Sequence, residues 1–304
     1  MEDENFELRQ SKPFKVTTII NIIIAILGII ILSYYLFSAP NENKIETIHI
    51  SSGESLNSIT SDLENKKVVR YSSVLKIFII LFKSDRQITI GDYLFEKNQP
   101  VFKIAWQIAR GNHNVNPIKI TFKEGITNEE IATILADKLS GFRKDLFLTN
   151  IDTKQGYLFP DTYSFFPLST TEEIVNSLSS NFKKRISLLN SKINSSGKSL
   201  SDIIIMASIL EKEAAGKDDA PIISGILWNR IKMGMPLQVD AAMSTYKTKG
   251  LPSEPISNPG LVTIDASLNP VSSNYLFYLH DKNGVVHFSK TYQEHKLNIN
   301  RYLK

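Results

Sequence analysis

The feature that constrains this chain most is an uncharged apolar run of 22 residues, Val16–Phe37. As a helix it would be about 33 Å long, enough to cross a hydrocarbon core of roughly 30 Å. Tyr34 and Tyr35 lie near one end, where membrane helices often carry aromatic side chains. A cleaved signal peptide is the alternative, but it would have a shorter run and a small-residue cleavage site, which Ser38-Ala39-Pro40 matches poorly. We therefore expect a single transmembrane helix that is retained.

The flanking charges predict the orientation of this helix. Arg9, Lys12 and Lys15 precede it, whereas only Lys44 follows closely. Basic residues flank membrane spans mainly on the cytoplasmic side. We therefore expect a cytoplasmic tail over residues 1–15 and a single-pass protein of the cell (inner) membrane, with the rest of the chain periplasmic or extracellular.

Composition excludes several kinds of chemistry. The chain has 304 residues and no Cys, so disulfides, thiol catalysis and Cys-ligated zinc are ruled out. Its five His residues are scattered, and no zinc-protease, nucleotide-binding or serine-hydrolase motif occurs. We predict no metal and no cofactor. The net charge of +4 is too small and too dispersed to predict a nucleic-acid partner. Acid–base chemistry by a carboxylate remains, and glycan cleavage is its natural use on the outer side of a membrane.

Two segments of the chain share one pattern. Residues 48–63 and 118–135 each read as a short strand, a glycine turn, a Ser or Thr cap and an amphipathic helix. Thr127 with Glu130 forms a capping box in the second copy. The pattern predicts small α/β subdomains, although strand–turn–helix units are common enough for the match to be coincidental.

Further elements follow from periodicity and from Gly and Pro. We predict helices over residues 72–82, 101–109, 172–190, 201–215, 218–233 and 292–303, a strand over 87–95, an aromatic turn over 156–163, a linker over 195–198, and a hairpin of 275–279 with 285–288. Between the last two helices lies a Pro-rich irregular stretch, residues 235–260. Loops of this length without regular structure are usually functional.

The helix over 201–215 is the most apolar one outside the membrane and ends with two carboxylates, Glu211 and Glu213. Two residues apart, they point to different sides of the helix. The neighbours of Glu211 one turn away are all small (Ala207, Ser208, Ala214 and Ala215), so a ligand could approach closely. A partly apolar setting would also raise the pKa of Glu211, as a general acid needs. Glu213 can instead pair with Lys217 and is expected to be solvated. A plain surface glutamate is an equally good interpretation of Glu211 from this argument alone.

Polar residues that could surround such an acid are concentrated downstream. The candidates for substrate binding are Asn229, Gln238, Asp240, Tyr246, Asn258 and His287. Each of these residue types is more often a cap or a turn residue than a ligand. Their concentration in and around one Pro-rich loop is what favours a site there.

Four stretches, in this order, resemble the MltG/YceG-like family of membrane-anchored endolytic murein transglycosylases. They are GYLFPDTY (156–163), ASILEKE (207–213), WNR through GMPLQVD (228–240) and GLP through ISNPG (250–260). The chain departs from the family pattern at Gln155, at Ala241 and in a shorter segment between Asp240 and Tyr246. The shorter segment leads us to expect one shortened wall of the substrate cleft.

The resemblance implies an α+β fold with three parts: the N-terminal transmembrane helix, a small LysM-like subdomain over residues 45–116 and a mixed α/β catalytic domain over 117–304. It implies that Glu211 is the catalytic acid/base of a lytic murein transglycosylase, a carbon–oxygen lyase without cofactors. The substrate would be nascent peptidoglycan strands, cut between MurNAc and GlcNAc to leave 1,6-anhydro-MurNAc ends and so to end elongation. Peptidoglycan synthases and the division machinery are the implied protein partners.

Two alternatives stay open at this point. One is a hydrolase that uses two carboxylates, with Asp240 as the second acid. The other is a non-enzymatic, membrane-tethered protein that binds peptidoglycan as a division scaffold.

Overall fold

A computed structural model describes residues 16–38, 40, 45–83, 88–150, 154–214 and 218–304. The described residues form two compact units, 1–115 and 116–304. Helices α1 to α12 are Val16–Phe37, Leu56–Asn65, Ser72–Lys83, Val101–Arg110, Asn128–Lys138, Lys144–Thr149, Thr171–Ser187, Asn190–Ser196, Leu200–Glu213, Ala220–Lys232, Leu261–Leu268 and Tyr292–Tyr302. Strands β1 to β6 are Glu46–Ile50, Gly91–Phe95, Ile118–Thr121, Thr162–Phe165, Phe277–His280 and Val286–Ser289, and they pair as three two-stranded antiparallel sheets. The architecture is a mixed α/β fold, in agreement with the predicted α+β class.

The apolar run forms helix α1, as predicted, over the same residues. Its large apolar side chains are exposed, as in Ile24 and Ile29, and mean hydropathy reaches 2.7 over Val16–Tyr35. The helix is long and apolar enough to cross a membrane. Membrane insertion and its direction stay predictions, and the flanking basic residues that predict the direction, Arg9, Lys12, Lys15 and Lys44, lie outside the described residues.

In the first unit the predicted strand–turn–helix pattern is confirmed. Strand β1 leads to Ser55, whose side chain accepts a hydrogen bond from Ser58 N–H at the start of α2. Of the predicted strand over 87–95, Gly91–Phe95 form β2, since its partner β1 ends at Ile50, opposite Gly91, and Gln87 lies outside the described residues. The core of this unit consists of side chains from β1, β2 and helices α2 to α4: Ile48, Ile50, Leu63, Leu75, Ile79, Tyr93, Phe95, Ile104 and Ile108.

The second copy of the pattern is confirmed in the second unit. Thr127 and Glu130 form the predicted capping box at the start of α5. Strand β3, which precedes it, pairs with β4 across more than forty residues of chain, with Ile118 opposite Phe165. The predicted aromatic turn leads directly into β4. Whether residues 45–116 form a LysM-like subdomain and 117–304 a separate catalytic domain stays a prediction.

Helix α9 is the centre of the second unit. Every residue from Ile203 to Leu210 is buried, and helices α10 and α11 pack against it. Sequence reasoning missed α11, because it has eight residues, an uncharged N-cap at Gly260 without a side-chain hydrogen bond, and Pro259 before it. It also missed α6, a single short helix.

The predicted linker over residues 195–198 was partly wrong. Helix α7 ends at Ser187 rather than 190, and the chain then forms a second short helix, α8, that runs to Ser196. The polar composition of this segment suggested a loop, but Leu189 is buried at the junction and partly buried Ile193 packs on the core, so the segment is held against it.

Candidate active site

The last turn of α9 directs its two carboxylates to different surroundings. Glu211 faces the start of α11, where its Oε2 accepts hydrogen bonds from Gly260 N–H at 2.9 Å and from the Thr263 hydroxyl at 2.6 Å. A carboxylate is well placed at a helix N-terminus, because free backbone N–H groups and the helix dipole both favour negative charge. Glu211 therefore joins the end of α9 to the beginning of α11.

Protein groups crowd the space beside Glu211. A Cβ atom on Gly125 would lie 3.1 Å from Glu211 Cγ, and one on Gly260 would lie 2.0 Å from Glu124 Oε1. A side chain at either position would force the neighbouring glutamate side chain to move. The space beside Glu211 is therefore occupied largely by other parts of the chain.

Glu213 lines a cavity of about 490 Å³. The end of α9, the end of α10, the irregular stretch, the β5–β6 hairpin and α12 supply its walls. The polar and aromatic lining consists of Glu213, Arg230, Gln238, Asp240, Tyr246, Phe277, Tyr278, His280, Tyr292 and His295, with apolar Leu279, Ile299 and Leu303. Glu211 is not among the residues that line this cavity.

The carboxylate of Glu213 is held by neighbouring donors. The Tyr278 hydroxyl donates to its Oε2 at 3.0 Å, and Ala241 N–H makes a long contact of 3.5 Å with Oε1. Burial, followed by the charge of Glu213, raises the pKa of Tyr278 well above its ordinary value of 10. Tyr278 therefore remains a hydrogen-bond donor at physiological pH. The predicted ion pair with Lys217 lies outside the described residues.

A second carboxylate, Asp240, lies on the same cavity. It accepts a short hydrogen bond from the Tyr246 hydroxyl, and this bond raises the pKa of Tyr246. Both residues come from the short segment that follows Leu237, where Met243–Tyr246 forms a single 3₁₀ turn. The segment that was expected to form a shortened wall therefore contributes two polar groups.

Arg230 supports the part of the cavity wall that contains Leu237 and Gln238. Its side chain is 4% exposed and donates to the Leu237 carbonyl at 2.8 Å and to Gln238 Oε1 at 2.9 Å. Burial lowers the pKa of Arg230, but the pKa of an arginine is ordinarily so high that the guanidinium stays charged. Because a guanidinium has only donors, it fixes the carbonyl end of the Gln238 amide and leaves the NH₂ end free to donate.

Gln238 also has an unusual backbone conformation. Its φ of 51° lies in the left-handed region, which residues other than Gly and Asn adopt at a cost of order 1–3 kcal/mol. Its N–H donates to the Thr245 carbonyl at 3.2 Å, which holds the strained residue in place. Such strain is often found at binding sites.

Comparison with known proteins identifies the family. The model of the YceG-like family matches residues 48–244 and 243–301, which is most of the chain. The chain belongs to the YceG-like family. It is 27% identical to the endolytic murein transglycosylase of Bacillus subtilis, with 84% of each chain covered. It is 23% identical to the endolytic murein transglycosylase of Streptococcus pneumoniae over 85% of its own length, but it spans only 58% of that protein.

A solved structure supports the same family. This YceG-like chain resembles the crystal structure of a yceG-like protein from Listeria monocytogenes with a TM-score of 0.54 and 27% identity, over 84% of this chain and 99% of that one. The similarity extends over both units, so the described architecture is that of a YceG-like protein.

Of the residues predicted to bind substrate, Gln238, Asp240 and Tyr246 lie together on the cavity of this YceG-like chain. The other three lie elsewhere. Asn229 donates to the Ser273 carbonyl, and His287 contacts Asp281 at 3.0 Å and stacks on Tyr302 at 3.6 Å. Asn258 is completely buried and makes hydrogen bonds with four protein groups. The buried contacts of Asn258 are structural. Asn229 also lines a separate cavity of about 440 Å³, and substrate binding by Asn229 and His287 stays a prediction.

Sequence reasoning named Arg230 among the polar groups near the acid, but it did not assign Glu213, Tyr278 or the aromatic side chains of the hairpin and α12 to a site. The sequence does indicate that Glu211 and Glu213 point to different sides of α9. Only the packed structure shows that the side of α9 with Glu213 faces the irregular stretch. The possible ion pair with Lys217 favoured a solvated Glu213, whereas in the structure Glu213 lines the cavity. Among the described residues no group of three His, Asp or Glu side chains is arranged to hold a metal.

Proposed function

We propose that this chain is a membrane-anchored endolytic lytic transglycosylase that cuts peptidoglycan between MurNAc and GlcNAc, with Glu213 as its acid/base. The observation that carries the proposal is the cavity in which Glu213 is grouped with Gln238, Asp240 and Tyr246. Aromatic and polar side chains around the carboxylates of Glu213 and Asp240 suit a polar sugar chain. The names of the relatives from B. subtilis and S. pneumoniae support the same reaction.

One carboxylate suffices for this reaction. Protonated Glu213 gives its proton to the glycosidic oxygen, the bond from this oxygen to C1 of MurNAc breaks, and GlcNAc leaves with a free 4-hydroxyl. The resulting carboxylate then removes the proton from the MurNAc 6-hydroxyl while O6 bonds to C1, which closes the 1,6-anhydro ring. Glu213 regains its proton, and no water is consumed. Tyr278 keeps the carboxylate in place, and Asp240 offsets the positive charge that develops at C1.

The sequence resemblance favours Glu211 as the acid, whereas the geometry favours Glu213, and a matched pair of variants separates them. Glu213→Gln and Glu211→Gln are compared as full chains in detergent on purified glycan strands, with products counted by mass spectrometry. General acid–base catalysis contributes about 10²- to 10⁴-fold, so we expect a loss of that size for Glu213→Gln. Glu211→Gln should retain most activity at a lower melting temperature. A large loss of activity in Glu211→Gln with little loss in Glu213→Gln would make Glu211 the acid/base. Full activity in both variants would overturn the mechanism.

A two-carboxylate hydrolase is the second candidate, and the position of Asp240 on the same cavity favours it. Hydrolysis leaves a reducing MurNAc end, which differs from the anhydro end by one water and is resolved by mass. We expect anhydro ends from the unaltered chain. Reducing ends that disappear in Asp240→Asn would establish the hydrolase instead.

Location and partners complete the proposal. Helix α1 anchors the chain in the cell membrane, with residues 1–15 inside and the chain from about residue 38 onward outside, and the LysM-like residues 45–116 grip the glycan. The enzyme then cuts nascent strands near the synthases of the division machinery and limits their length. Support comes from the apolar helix and the relatives' names. Crosslinking of the full chain to glycan strands, read by peptide mapping, tests the grip: absence of crosslinks in 45–116 would remove it.

A further inference from the structure

Helices α3 and α4 of the first unit expose large apolar side chains side by side. On α3, Ile77, Ile80 and Leu81 are 64%, 58% and 70% exposed, and on α4 Phe102 and Trp106 are 51% and 44% exposed. We call these five residues the α3–α4 apolar face. Single exposed apolar residues are ordinary, but a group of this size marks an interaction surface.

The packing of the unit does not account for this face. Leu75 and Ile79 already bury the inner side of α3 in the core, and Ile104 and Ile108 do the same for α4. The α3–α4 apolar face is therefore a second apolar side on helices whose first side is satisfied. Helix α3 is too short, at 12 residues, to span a membrane. An apolar helix of this kind can lie flat in the interface between water and lipid.

A row of aromatic rings connects this face to the outer end of helix α1. Phe37, at the end of α1, meets Phe78 of α3 with ring centroids 5.6 Å apart. Phe78 meets Phe82 at 5.8 Å, and Phe82 meets Trp106 of α4 at 5.5 Å. The row starts where a spanning helix leaves the membrane, which is the depth that aromatic side chains prefer.

The segment of the sequence that contains α3 is basic, which suits anionic lipid headgroups. From residue 66 to residue 83 the chain has no acidic side chain, and its basic residues there are Lys66, Lys67, Arg70, Lys76 and Lys83. On α4 the Arg110 guanidinium lies 4.3 Å from the centre of the Trp106 ring. Lys and Arg beside apolar side chains attract anionic lipids to an interfacial helix.

We propose that the α3–α4 apolar face docks on the outer surface of the membrane that α1 spans, with Trp106 among the lipid headgroups and upper acyl chains. The partner is the bilayer itself, and anionic phospholipid strengthens the contact. The proposal rests on the membrane anchor proposed above. Docking holds residues 45–115 against the membrane surface, so that they are not attached to it through α1 alone.

The two tryptophans of the chain provide the test, because one lies in each unit. Trp228→Phe leaves Trp106 as the single fluorophore, and Trp106→Phe leaves Trp228, which is partly buried on α10. Each full chain is reconstituted into vesicles of phosphatidylethanolamine and phosphatidylglycerol, with or without bromine on the acyl chains near the headgroup. We expect bromine to quench Trp106 at least twofold and to leave Trp228 within a tenth of its intensity. Equal intensity of Trp106 in both kinds of vesicle would overturn the proposal.

A matched set of variants tests the face itself. Ile77→Ser, Ile80→Ser and Leu81→Ser are combined in the Trp228→Phe chain, and the control combines Leu188→Ser with Leu297→Ser, which are 69% and 67% exposed in the other unit. The α3 variant should lose most of the quenching, and the control should keep it. If quenching is the same in both, the α3 side chains do not mediate docking.

Two further outcomes are distinguishable. If Trp106 escapes bromine but is also shielded from iodide in water, and the chain crosslinks to a second copy, the face is a protein interface and docking on lipid is wrong. Extraction with alkaline carbonate reports on the anchor separately. If the chain stays in the membrane after carbonate treatment but Trp106 is not quenched, α1 is an anchor and the docking proposal is wrong. If carbonate releases the chain, both the anchor and the docking are wrong.

Discussion

At the scale of single residues, Asn258 shows how a candidate ligand turns out to be structural. Its side-chain oxygen accepts from Gly156 N–H at 2.9 Å and Leu158 N–H at 3.1 Å, and its NH₂ donates to the Ile126 carbonyl and to Asn128. This one amide connects the aromatic turn, the start of α5 and the Pro-rich stretch. Its full set of partners leaves nothing for a substrate.

Asn258→Ala should destabilise the fold by about 2–4 kcal/mol, because it leaves several buried groups without partners. Denaturant unfolding of the full chain in detergent measures the change. The control is Asn229→Ala, which removes one partly buried bond and should cost less than about 1.5 kcal/mol. Equal costs for the two variants would contradict the structural role of Asn258.

Tyr278→Phe should lower kcat about tenfold and leave the fold intact, since it removes the hydroxyl that orients Glu213 and keeps the buried ring. Steady-state kinetics on glycan strands measure the effect. Tyr246→Phe is the comparison, because its hydroxyl contacts Asp240 rather than Glu213. A kcat for Tyr278→Phe equal to that of the unaltered chain would mean that Glu213 needs no such support.

At the scale of elements, sequence periodicity predicted most helices and both copies of the strand–turn–helix pattern. These elements have strong local signals, such as the capping box at Thr127 and the alternation around Ile48. Periodicity missed α11, and the helical neighbours favoured Glu211 although Glu213 is the one that lines the cavity. Both depend on packing between segments distant in sequence, and α11 in particular is held by the contact of its N-terminus with Glu211 on α9.

The close packing of α10 against the backbone at Val271 can be tested by substitution. A Cβ atom on Gly225 would lie 2.0 Å from the Val271 carbonyl oxygen, which is backbone and cannot turn aside. Gly225→Ala should therefore cost about 2–3 kcal/mol or more in unfolding free energy. The neighbouring Ser224 is buried with an unpaired hydroxyl, so Ser224→Ala should be neutral or stabilising. If Gly225→Ala melts no lower than Ser224→Ala, the close approach is wrong.

His295 on helix α12 makes the free energy of unfolding depend on pH. Burial and the charge of Arg230 lower the pKa of His295 below its ordinary value of 6.5. A lowered histidine pKa means that the unfolded chain binds the proton first, so this contribution to stability is complete above about pH 6.5 and is lost as pH falls below it. His295→Phe should therefore lose less stability between pH 7.5 and pH 5 than the unaltered chain. Thermal melting at both values measures this, and identical pH dependence would refute it.

At the scale of the whole molecule, the long apolar helix α1 and the family could be predicted from sequence, because both depend on contiguous residues. The cavity could not, since its walls come from five separate elements between Glu213 and Leu303. The division of the described residues into two units also follows from contacts that no local pattern reports.

The absence of Cys makes the predicted topology directly testable, since any introduced thiol is unique. Ser11→Cys lies in the predicted cytoplasmic tail, and Ser180→Cys lies on the exposed side of α7. An impermeant maleimide applied to intact cells should label Ser180→Cys and not Ser11→Cys, and detergent should allow both to react. Labelling of the tail in intact cells would reverse the orientation.

The position of α12 has a consequence for timing. Tyr292, His295, Ile299 and Leu303 close the cavity whose other side contains Glu213, some eighty to ninety residues earlier in the chain. During synthesis the carboxylate therefore emerges long before its pocket is complete. If Glu213 is the acid/base that we propose, the enzyme stays unable to cut glycan until α12 has folded onto the cavity.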